Sequence, residues 1–110
     1  MNKRTKMEVP SLSFIIEITG NDDEFQNKIL EIIKKEFPEE VYLYHTNYSL
    51  KNYKEAANNV HKIKHKISLL ALEKGLEIAS KYEIELKKGN ITLHHNFLEI
   101  LNKIHVYLYP

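Results

Sequence analysis

One apolar stripe constrains this chain more than any other feature. Ala56, Val60, Ile63, Ile67 and Leu70 follow one another at steps of 4, 3, 4 and 3. That recurrence lines up on one face of a 3.6-residue turn and marks an amphipathic helix with a buried side. Three more segments carry the same signal: Phe25, Ile29, Ile32, Ile33 and Phe37; Leu72, Leu76, Ala79, Tyr82 and Leu86; and Leu93, Phe97, Ile100 or Leu101, Ile104 and Leu108. No alternating run is long enough to suggest a sheet. Only three Gly and three Pro interrupt 110 residues, in a chain rich in good helix formers. Single apolar stripes joined by short connections predict an all-α fold, an antiparallel four-helix bundle with a short extra N-terminal helix.

The punctuation divides the chain. Residues 1–10 are basic and polar, end at Pro10 and read as a flexible lead-in to a helical domain over 11–110. Leu12, Ile15 and Ile16 suit the short first helix, stopped near Gly20-Asn21. Asn21 or Asp22 is expected to cap the second, with Asp23 and Glu24 at its positive end. Pro38 is expected to interrupt that helix and restart a third segment ending near Asn47, since Pro suits a first turn. Ser49 is the expected N-cap of the next helix, which runs to about Leu69. Gly89-Asn90 form the expected left-handed C-cap of the following one, and Thr92 the cap of the last.

Composition removes several function classes. The net charge of +1 gives no global pull towards nucleic acid or an acidic membrane surface. With no Cys there are no disulfides and no thiolate metal sites. Phe14-Ile15-Ile16 is too short for a signal-peptide core or a membrane span, so a soluble cytoplasmic protein without membrane insertion is the expectation. A monomer is the default for a domain of this size.

A second stripe lies one step around from the first: His61, Lys64, His65 and Ser68. With the first stripe buried, this one lies at its edge or faces water. An exposed imidazole one turn before a lysine suits a residue that accepts and holds a phosphoryl group. The ring nitrogen is the nucleophile and the ammonium offsets the phosphate charge. His61 and His65 also form an i, i+4 pair of the kind that binds divalent metals. However, Lys62 stands where the His-Glu-x-x-His motif needs its Glu, and Lys64 and Lys66 would repel a cation, so no metal site is assigned. His94-His95 suits surface or cap chemistry. No glycine-rich elbow supports Ser68 as a nucleophile.

The residues resemble a known family. The run His61-Lys62-Ile63-Lys64-His65, followed by Leu70-Ala71-Leu72, resembles the signature of histidine-containing phosphotransfer (HPt) domains of bacterial phosphorelays. Gly20-Asn21-Asp22-Asp23-Glu24-Phe25 looks like the acidic, Phe-containing start of that family's second helix. The resemblance spans roughly residues 12–108. It implies that His61 is the phosphoacceptor and Lys64 the phosphate-stabilising cation, with His65 and Ser68 as neighbours of the site. It implies partners as well: the receiver domain of a response regulator or hybrid sensor kinase, which supplies both the aspartyl phosphate and the divalent metal. No ATP site and no cofactor of the chain's own are implied. Two positions depart from the pattern. His65 stands where the family usually has Gly, adding bulk where a partner approaches. Near Glu83 the family often offers an amide or other donor to the phosphate, and an anion there would repel it. Leu12, Ile15 and Ile16 are candidates for the docking surface. The rival reading is a non-catalytic interaction module that docks an acidic partner through the basic helix Lys51 to Lys66.

Overall fold

A computed structural model describes residues 8–110; residues 1–7 of the expected lead-in lie outside them. Among the described residues five helices make up the regular structure: α1 Ser13–Thr19, α2 Asp23–Ser49, α3 Tyr53–Leu69, α4 Glu73–Lys87 and α5 His94–Leu108. All regular structure among the described residues is helical, and the helices pack as a bundle around one continuous core.

The α3 stripe is the centre of that core. Ala56, Val60, Ile63, Ile67 and Leu70 are all fully buried. From α4 come Leu72, Ala79, Tyr82 and Leu86, and from α5 Phe97, Ile100, Leu101, Ile104 and Leu108. Gly75 rather than Leu76 lies fully buried on α4; a Cβ there would come within 3.3–3.5 Å of Leu72, Ile100 and Ile67, so the glycine permits a close approach of α4 to its neighbours. On α2 the buried face is Ile33, Phe37 and Tyr44, while Phe25 and Ile32 of the expected stripe face water. Helical phase explains this, because Ile33, Phe37 and Tyr44 share one face and Ile32 lies about 100° away from Ile33.

The expected break at Pro38 does not occur. Helix α2 runs through it for 27 residues. A mid-helix proline leaves the carbonyl four residues earlier without a donor. Here that carbonyl belongs to Lys34, and the hydroxyl of Tyr109, just beyond α5, donates to it. The tertiary contact replaces the missing backbone bond.

Helices α2, α3 and α4 end alike. Each closes with a bond from the amide two residues past its cap and another from the amide before it: Asn52 N to Asn47 O and Lys51 N to Tyr48 O, Leu72 N to Ile67 O and Ala71 N to Ser68 O, Asn90 N to Glu85 O and Gly89 N to Leu86 O. This is the Schellman pattern, with a left-handed residue at its pivot. Gly89 fills that place as expected (φ +81°), but Lys51 (φ +59°) and Ala71 (φ +63°) fill the other two without being glycine. Ser49 is therefore the last residue of α2, and Asn52 stands at the N-cap of α3 without a side-chain cap bond. Thr92 does not cap α5; it bonds Asn90, and Leu93 takes the cap position. Asp22 caps α2 by accepting from the Phe25 amide at 3.0 Å.

Glu8 holds the other end of α4. Its carboxylate accepts from the amides of Lys74 (2.9 Å) and Gly75 (3.0 Å), and the Ser11 amide donates to Leu70 O. An anion at these orphan donors stabilises a helix start. Residues 8–11 are thereby fixed over the α3–α4 turn.

Candidate functional site

His61 is the ninth residue of the 17-residue α3. Ile63, two positions on, is fully buried, so the imidazole is turned outwards and its side chain is 56% exposed. The next helix supplies its partner. Glu83 of α4 approaches His61 Nδ1 with both carboxylate oxygens, at 3.1 Å and 3.3 Å. The same carboxylate accepts from Lys64 Nζ at 3.0 Å, and Lys87 Nζ lies 3.8 Å away. The structure thus sets Glu83 opposite the histidine, at the position that the family resemblance singled out.

Glu83 is only 12% exposed. Burial raises its carboxyl pKa, but the hydrogen bonds and charges of Lys64 and His61 outweigh that and hold it below the usual value. It is ionised at neutral pH and can only accept hydrogen bonds. The proton between Glu83 and His61 therefore belongs to Nδ1, which leaves the Nε2 lone pair unprotonated when the ring is neutral. A carboxylate-oriented imidazole with one bare nitrogen in water is a nucleophile or a general base.

Of the remaining residues of the stripe, His65 adjoins this centre and Ser68 lies in a separate cleft. His65 is exposed and meets His61 edge-on, ring centroids 5.6 Å apart. Ser68 is half-buried and lines a shallow cleft of about 590 Å³ with Ser13, Phe14, Ile16, Glu17, Ala71 and Glu73. Of the three residues expected to offer an apolar docking surface, Ile15 is fully buried in the core and Leu12 packs against it, so neither is free. Ile16 is exposed, together with Phe14 and Ile18, which the sequence reading had not singled out.

Lys66 belongs to the core's edge rather than to a free basic face. Its side chain is 10% exposed, and its ammonium donates to Glu36 at 2.6 Å and to Glu40 at 3.0 Å, both on α2. Burial disfavours its charge, yet the two carboxylates more than compensate and raise its pKa. With Lys64 held by Glu83, two of the lysines on which the docking reading relies are already paired. These ion pairs join residues 19 to 30 positions apart in sequence, so no local pattern reveals them.

His94 is also more than a surface residue. Its Nδ1 lies 2.7 Å from the Tyr44 hydroxyl, which in turn lies 2.6 Å from the Tyr82 hydroxyl. Its ring stacks on Tyr48 at 3.8 Å. Desolvation, with the nearby charges of His95 and His45, lowers its pKa. Burial raises Tyr82 to about 12 and Tyr44 further still. This chain of polar groups ties α2, α4 and α5 together inside the bundle.

Among the described residues no group of three or more His, Asp or Glu side chains is placed to hold a metal ion. No helix among them is long and apolar enough to cross a membrane. Comparison with protein-family models, with curated proteins and with solved structures gave no match, so the chemistry rests on the geometry of the site alone.

Proposed function

We propose that this chain is a histidine phosphotransfer protein of the HPt kind. His61 takes a phosphoryl group from the aspartate of a receiver domain and passes it to another. The observation that carries the reading is an exposed imidazole, rooted midway along a helix, with Nδ1 held by a largely buried carboxylate and Nε2 free. In the transfer, the Nε2 lone pair attacks the phosphorus of the aspartyl phosphate. The N–P bond forms, the P–O bond breaks with its electrons going to the aspartate, and the Nδ1 proton stays between His61 and Glu83. A bound, oriented imidazole makes such a step chiefly one of positioning and charge compensation. Lys64, one turn away, is the cation in reach of the new phosphoryl group. His65 shapes the approach of the partner.

This reading takes α2 to α5 as an antiparallel four-helix bundle with α1 as the extra helix. It makes the protein a monomeric cytoplasmic carrier without turnover of its own, whose partner brings the divalent metal. The rival reading, docking of an acidic partner through the basic helix, has less support because Lys64 and Lys66 are neutralised within the fold. Incubation with a phosphorylated receiver domain tests the proposal. Acid-labile label on wild type and none on His61→Gln is the expected result; equal labelling of both excludes His61.

A further inference from the structure

The position of Glu83 is unfavourable for storing phosphate. A phosphoryl group on Nε2 brings two negative charges into the neighbourhood of a carboxylate that is only 12% exposed and already has Lys64 as its partner at 3.0 Å. Two consequences follow from charge alone. The carboxylate repels the phosphoryl oxygens, and the ammonium that would offset them is held in a competing ion pair. Lys87, 3.8 Å from the same carboxylate and 58% exposed, is the weaker of its two cations, so Lys64 remains the principal partner of Glu83. Yet the same carboxylate orients the ring for attack. It favours the reaction and disfavours the product.

Resting on the phosphocarrier reading, we propose that Glu83 is a positioning residue that makes phosphorylated His61 a transit state rather than a store: it sets Nε2 as the attacking atom and keeps Lys64 from stabilising the phosphoryl group once it has arrived. The chain is then built to hand the group on quickly to a second receiver.

The test has two arms, both on the full chain. In the first, the tautomer of unphosphorylated His61 is read from its ring ¹⁵N shifts in wild type and in Glu83→Ala. The proton is expected on Nδ1 in wild type, with a shift towards Nε2 in the variant. An unchanged tautomer overturns the orienting role. In the second arm, wild type, Glu83→Gln and Lys64→Ala/Glu83→Gln are phosphorylated with phosphoramidate, freed of reagent, and followed for loss of label. Glu83→Gln is expected to keep its label about tenfold longer, the scale on which one nearby charge shifts an ionic equilibrium. The double variant is expected to lose most of that gain, since the effect runs through Lys64. Equal or shorter lifetime in Glu83→Gln overturns the inference and leaves the phosphocarrier reading standing. Absence of label on His61 in wild type overturns both.

Discussion

Replacing Lys66 by methionine separates a structural lysine from a docking one. The change keeps most of the apolar stem and removes the ammonium. Glu36 is about half exposed and turns into water at little cost. Glu40 differs: its side chain is 16% exposed, Lys66 binds one of its oxygens, and the other, Oε1, is buried without a hydrogen-bond partner. Removing one member of a fully buried pair costs about 3–5 kcal/mol because a desolvated charge remains. The residual exposure of Glu40 lets some water reach it, which brings the expected loss to about 2–3 kcal/mol. That is a large share of the roughly 5–15 kcal/mol that stabilises a domain of this size. In urea, followed by helical circular dichroism, a slope of about 1.5–2 kcal/mol/M turns this loss into a midpoint about 1–2 M lower. Lys66→Met/Glu40→Leu removes the stranded carboxylate as well and is expected to recover at least half of the loss. A single variant within 0.5 kcal/mol of wild type, or a double variant weaker than the single, would refute the reasoning.

Three further outcomes follow from the packing. Ile63→Ala opens a cavity at a fully buried position and is expected to cost roughly 2–5 kcal/mol in the same urea titration; an unchanged midpoint would mean that α3 is turned differently and His61 points inwards. Tyr109→Phe removes the donor that serves the Lys34 carbonyl and is expected to cost about 0.5–1 kcal/mol, but much less in a Pro38→Ala background, where the restored backbone N–H serves Lys34 instead. Equal cost in both backgrounds would separate the two features. The pKa of His94 is lowered in the folded state, so below about pH 6.5, the ordinary histidine value, the unfolded chain takes up the proton first. Its contribution is therefore complete above that pH and is lost as the pH falls towards the folded value. His94→Gln is expected to flatten this part of the stability–pH curve between pH 7.5 and 5.5, and an identical slope in wild type and variant would contradict the assignment.

The helix stripes were legible because burial on one face of a helix imposes a period that no other structure shares. The α3 stripe came directly from it, whereas Glu83 was pointed to by the family resemblance. Boundaries were less legible where cap chemistry departs from the usual residues. Lys51 and Ala71 occupy left-handed positions that glycine ordinarily marks, so the turns themselves carry no glycine signal, although the end of α3 at Leu69 and, within two residues, that of α2 were read from the sequence. Pro38 misled for the converse reason: its local effect is real, but Tyr109 offsets it from 71 positions away. The Lys66–Glu36–Glu40 cluster and the Tyr82–Tyr44–His94 chain share that character, each joining helices distant in sequence. For the site itself, spacing located the histidine and the lysine, and the family resemblance pointed to the opposing acid. What spacing does not supply is the direction of the bonds: that Glu83 grips Nδ1 and Lys64 at once, and so governs both the nucleophile and its counter-charge.

The central claim is that His61 carries a phosphoryl group. Its most direct measurement is transfer from a phosphorylated receiver domain, with the labelled residue located by acid lability and peptide mapping and the fold monitored by circular dichroism. The account predicts acid-labile label confined to the peptide containing His61, slower transfer in Lys64→Ala, and no label in a folded His61→Gln. Label on the folded His61→Gln variant at the wild-type level, or no label on wild type from any receiver offered, would contradict it.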